Sequence, residues 1–82
     1  MMIKLDGVAI NIDLTTIEAV ETEELRDRHA LEKLTKQAVA DCFRQEGIEF
    51  DINTENHQEA YRQALFNSNI IAEQVIAERG EG

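Results

Sequence analysis

Residues 22–47, TEELRDRHALEKLTKQAVADCFRQEG, carry the longest run of a single period in the chain, and both ends of the run are marked. Thr22 is a suitable N-cap, Glu23, Glu24 and Asp27 crowd the positive end of a helix macrodipole, and Gly47 stands where a left-handed residue closes a helix. Leu31, Leu34, Ala38 and Cys42 recur at i, i+3, i+7 and i+11, with Val39 beside them. The spacing predicts one long helix with an apolar stripe that some other element must cover. At about 36 Å it would be twice the length of a typical strand, so it should overhang any sheet it packs on.

The sheet is announced upstream. Ile3, Lys4 and Leu5 lead into Asp6-Gly7 and then Val8 to Leu14, and Asp-Gly supplies the two positive-φ residues of a type I′ hairpin turn. A two-residue turn pairs Leu5 with Val8, Ile3 with Ile10 and Met1 with Ile12, leaving Lys4 opposite Ala9 and Met2 opposite Asn11. Val8, Ile10, Ile12 and Leu14 then share one face, which a helix beneath would bury. Thr15-Thr16-Ile17-Glu18 matches a capping box, compatible with a short turn over 16–20 or with one helix continuous from Thr16, so that 15–46 is expected to be helical.

Downstream, Ile48, Phe50 and Ile52 alternate with Glu49 and Asp51, which predicts a short third strand over 48–52. Asn53 or Thr54 caps a last helix over 54–79, and 80–82 is left as a tail. The main stripe of that helix is Tyr61, Ala64, Leu65, Ile71, Ala72, Val75 and Ile76, interrupted by Asn67-Ser68-Asn69, residues that favour turns and caps and leave a kink or two helices as an alternative. The sum is an α+β fold of order ββαβα: a hairpin (1–14) and a short third strand with two long helices packed on one face. No repeat, linker or proline divides residues 1–82, so a single domain is expected.

Composition narrows the function classes. With 43% hydrophobic and 30% charged residues the chain should fold, and its net charge of -9 repels phosphates and anionic lipid. The acid is concentrated in 47–60, where Glu49, Asp51, Glu55 and Glu59 meet no basic residue. No apolar run approaches the roughly 20 residues of a membrane span and none follows a basic leader, which predicts a cytoplasmic protein. Cys42, the single cysteine, lies on the apolar stripe and reads as a buried hydrophobe.

No metal or cofactor is expected. Asp51-Ile52-Asn53-Thr54-Glu55 begins like a calcium loop, but the glycine position holds Asn56 and the closing glutamate position holds Arg62. His29 and His57 lack a second ligand at i+3 or i+4 and read as surface residues. Each glycine has a turn, a cap or the tail to explain it, and Cys42 projects away from His29, so no enzymatic constellation is expected.

Three surfaces remain. Phe66 and Ile70 lie four apart on the side of the last helix facing away from its stripe, with Ala77 extending their line; this is the expected partner interface. Arg26, His29, Lys33, Lys36 and Arg44 fall within a sector of about 80° on the long helix, a basic ridge. Glu49, Asp51, Glu55 and Glu59 form the acidic surface. The leading expectation is a non-enzymatic interaction module, homodimeric through helical faces or else bound to another protein, acting as an adaptor or regulator. The alternative is an acidic inhibitor that imitates nucleic-acid phosphates on a basic groove; nucleic-acid contact through the ridge is disfavoured by the net charge.

Overall fold

The computed structural model describes residues 1–80. Strands β1 (Met2–Leu5) and β2 (Val8–Asn11) are followed by short helices α1 (Thr15–Glu18) and α2 (Thr22–Arg26) and by long helices α3 (Arg28–Gln45) and α4 (Glu55–Glu78). The chain is therefore α+β, a two-stranded antiparallel hairpin with helices. The molecule measures 42 × 20 × 17 Å, a length that α4 nearly spans alone at about 36 Å.

The hairpin has the register that its turn dictates. Asp6 (φ 51°) and Gly7 (φ 82°) take the turn, and Met2 pairs with Asn11, Ile3 with Ile10, Lys4 with Ala9 and Leu5 with Val8. The Ile12 amide extends the ladder to the Met1 carbonyl at 2.7 Å. Ile3, Leu5, Ile10, Ile12 and Leu14 are buried, but Val8 is 52% exposed. α4 packs against β1 and α3 against β2, and Val8 lies beside the turn at the start of β2.

The helix expected over 22–47 is broken at Asp27, whose backbone is extended (φ -87°, ψ 108°). Its carboxylate caps α3, accepting from the His29 amide at 3.0 Å and the Ala30 amide at 3.5 Å. Aspartate gains more as an N-cap than inside a helix. The break also answers a packing need: Leu25 and Leu31, which one continuous helix would place about 120° apart, are both buried. Thr22 is the first residue of α2 and provides no cap bond. The C-terminus of α3 follows the sequence expectation as a Schellman motif, in which the Gly47 and Ile48 amides donate to the Arg44 and Phe43 carbonyls, each at 2.9 Å. Gly47 has φ 76°, and a Cβ there would meet nothing within 4 Å. Gly47→Ala should therefore lose only the conformational term, about 1 kcal/mol, lowering the melting temperature by about 4–8 °C in a thermal melt. Asparagine at this position should lose less.

Among the described residues no third strand forms. Residues 48–51 have no ladder partner and 52–54 turn into α4. The alternation is real in part, since Ile48 and Phe50 are half-buried, but Ile52 is 37% exposed. What holds this connection is aromatic: Phe43 stands edge-on to Phe50 (centroids 5.6 Å apart) and to His57 (5.0 Å), and Phe50 stacks on His57 (5.9 Å). The Asp51 amide donates to His57 Nδ1 at 2.9 Å, so His57 is a half-buried latch rather than a surface residue.

α3 and α4 form the principal helix pair. On α4 the buried positions are Ala60, Ala64, Ser68 and Ala72, one per turn, so the helices meet along small side chains while Tyr61, Leu65, Ile71, Val75 and Ile76 flank the seam half-buried. On α3 the buried line is Leu31, Thr35, Val39, Cys42 and Phe43, with Leu34 and Ala38 at its margin. α4 runs through Asn67-Ser68-Asn69 without ending. Ser68 Oγ lies 2.8 Å from Thr35 Oγ1, which also bonds the Leu31 carbonyl at 2.8 Å. The C-terminal end of α4 is tied down by Arg79, which donates to Thr22 Oγ1 and to the Glu18 carbonyl, each at 3.1 Å. Of the expected tail, Gly80 has φ 75° and residues 81–82 lie outside those described.

Candidate functional site

The outer face of α4 presents the largest exposed apolar side chain of the helical layer. Because the helix is continuous, Ser68 turns inward and Phe66, about 160° away around the helix, turns outward. Phe66 is 67% exposed and Ile70 39% exposed, and Ala77 is exposed one line further on. A kink at Asn67 to Asn69 would have rotated Ile70 toward the core; α4 runs through these residues and Ile70 stays 39% exposed. Toward the N-terminus the same face carries Glu59 and Arg62, paired at 2.9 Å, with Arg62 also donating to Gln58 Oε1 at 3.3 Å. Toward the C-terminus it carries Glu73, which forms no ion pair among the described residues.

The basic ridge is divided: His29, Lys33 and Lys36 line one shallow groove with Tyr61, and Arg26 and Arg44 are not part of its lining. Arg26 belongs to α2, beyond the break at Asp27, so helical spacing does not align it with the rest. His29, Lys33, Lys36 and Arg44 are exposed on α3, but acids interleave them. Arg44 pairs with Asp41 at 3.4 Å, and His29 Nδ1 lies 3.5 Å from Glu32. Lys36 Nζ stands 5.9 Å from the centre of the Tyr61 ring, a cation–π contact across α3 and α4 that no spacing within one helix could reveal. Burial, followed by the nearby Glu32 charge, pushes the Tyr61 phenol above its ordinary range.

The acidic residues are likewise dispersed. Glu49 lines a shallow open groove with Arg44, Ile48 and Phe50, whereas Glu55 and Glu59 line another with Lys4 and Arg62. Asp51 is consumed locally: its carboxylate accepts from the Asn53 amide at 2.9 Å and Thr54 Oγ1 at 3.2 Å, shaping the entry to α4. No group of three or more metal-ligating side chains occurs among the described residues.

Cys42 is buried, and its sulfur accepts the Asp13 amide at 3.3 Å rather than facing a histidine. Asp13 in turn accepts from the Thr15 hydroxyl (2.7 Å) and amide (3.0 Å), and these bonds, the hydroxyl first, hold its carboxyl below the usual carboxylate range. That arrangement serves the α1 entry. Among the described residues no helix is long and apolar enough to cross a membrane. In comparison with known proteins, the chain matches no family model, no curated protein and no solved structure.

Proposed function

We propose that this chain is a small non-enzymatic interaction module that acts as an adaptor or regulator and engages its partner through the outer face of α4, forming a homodimer. The observation that supports this reading is the exposure of Phe66 at 67% on an unbroken helix, with Ile70 one turn away. A phenyl ring held in water forgoes roughly 1.5–3 kcal/mol of burial, a loss that a partner surface recovers. The acidic-mimic and nucleic-acid readings draw less support, because carboxylates and cations alternate over the surfaces that each would need. A cytoplasmic setting accords with a lone cysteine that has no disulfide partner in the chain.

Sedimentation equilibrium tests the reading. Phe66→Glu combined with Ile70→Glu should weaken self-association by at least about tenfold while leaving helical circular dichroism intact, since both side chains are solvent-facing. Association that survives both substitutions unchanged would refute this use of the face.

A further inference from the structure

We infer that the occupant of the α4 face is a second copy of this chain lying antiparallel to the first, about a two-fold axis that passes near position 68, with Arg62 of each copy paired to Glu73 of the other. The inference rests on the reading of that face as a contact surface and adds the partner and its direction. Glu59, Arg62, Phe66, Ile70 and Glu73 fall within a sector of about 80° at 100° per residue, and all are exposed. Glu55 and Ala77 share the sector, so read along the helix the face is negative at Glu55 and Glu59, positive at Arg62, apolar at Phe66 and Ile70, negative at Glu73 and apolar at Ala77.

This order is self-complementary in one direction only. In an antiparallel pair centred between Phe66 and Ile70, each Phe66 meets the opposing Ile70. Arg62 stands about 9 Å from the axis on one side and Glu73 about 7.5 Å on the other, so opposite charges meet at nearly the same height twice per dimer. In a parallel pair Glu59, Arg62 and Glu73 would each face their own copies, and every charged contact would be repulsive.

Two further observations fit. Glu73 has no Lys, Arg or His three or four residues away on its own helix, so its carboxylate is available. Arg62 donates to Glu59 and Gln58, and its guanidinium keeps further N–H donors for a second carboxylate. One helix face buries less than the roughly 1,600 Å² of a standard interface, and two copies at a net charge of -9 repel at long range, so the dimer is weak and concentration-dependent.

Charge exchange tests the pairing by sedimentation equilibrium at low salt, with circular dichroism as the check on folding. Arg62→Glu alone and Glu73→Arg alone each place two like-charge contacts in the dimer and should lower the association constant roughly tenfold. The double variant R62E/E73R rebuilds both pairs with reversed sense and should return to within about threefold of the wild type. A double variant as weak as the single variants, in a protein whose association is still lost with Phe66→Glu and Ile70→Glu, would overturn the antiparallel pairing and leave the face as a contact surface. A wild type that stays monomeric at millimolar concentration would overturn the second copy as occupant. A dimer indifferent to Phe66 and Ile70 would instead remove the reading of the face itself.

Discussion

Phe43→Ala should remove between about a quarter and all of the folding free energy. The ring is fully buried in the last turns of α3 and is the largest of the fully buried side chains. Truncating such a phenylalanine costs about 3–5 kcal/mol, from lost transfer energy and from the cavity that remains. At roughly 0.05–0.15 kcal/mol per residue, a chain of 82 residues holds only about 4–12 kcal/mol in total. The urea midpoint should fall in proportion, with an unchanged slope if the native state stays compact. The loss has a second, local part. Phe43 is the ring against which both Phe50 and His57 stand edge-on, so its removal loosens the connection 48–54 before the rest unfolds. Hydrogen exchange at the Asp51 amide, which donates to His57 Nδ1, reports that loosening separately. Phe43→Leu, which keeps most of the volume, should recover much of the stability but little of the Asp51 protection. A cost below about 1 kcal/mol for the alanine variant would show that the aromatic cluster is not part of the core.

How far the sequence revealed this fold depends on whether a signal was local or required a partner. The Asp6-Gly7 turn is local: two positive-φ residues between alternating apolar runs fix the register, and the observed pairs are those that the turn dictates. Gly47 is equally local, and its Schellman bonds form where expected. The third strand was illegible because a strand is defined by its neighbour. Ile48 and Phe50 alternate as strand residues do, yet both pack against the buried core, Phe50 edge-on to Phe43 and stacked on His57, and neither pairs with a strand. Asp27 posed a different difficulty. An aspartate in this position suits both the first turn of one helix and the cap of the next; the choice between them is made by the need to bury Leu25 and Leu31 together, which is a tertiary fact.

The candidate surface divides along the same line. Phe66 and Ile70 were legible because departure from a stripe is a property of the helix alone, and they are exposed. The ridge through Arg26 assumed an unbroken helix and is divided at Asp27. The acidic set counted charge without asking what each carboxylate already holds; Asp51 is spent on Asn53 and Thr54, and Glu59 on Arg62. Glu73, which the composition count passed over, stands out only when the ion pairs of the neighbouring residues are known.

The hydroxyl pair between α3 and α4 should show strong non-additivity. Thr35 and Ser68 are both fully buried and lie 2.8 Å apart, with Thr35 also bonded to the Leu31 carbonyl. Thr35→Val keeps the shape but leaves the Ser68 hydroxyl buried without its partner, a loss of about 2 kcal/mol. Ser68→Ala removes one bond and leaves Thr35 its carbonyl, so the expected loss is smaller, about 1 kcal/mol. The double variant T35V/S68A takes both polar groups out of the seam and should lie below about 2 kcal/mol rather than at the sum, a coupling of 1 kcal/mol or more readable from four urea titrations. A Thr35→Val cost below about 0.5 kcal/mol would mean that Ser68 turns to the carbonyl of Ala64 on its own helix and that the pair is incidental. If the coupling holds, the pair does more than add stability. It is the one hydrogen bond between two side chains of α3 and α4 among the described residues, and it ties α4 to α3 at Ser68. With Ser68 held inward, Phe66 and Ile70 have no choice but to face solvent, so the polar residue that seemed to interrupt the helix is the one that sets which side of it is offered to a partner.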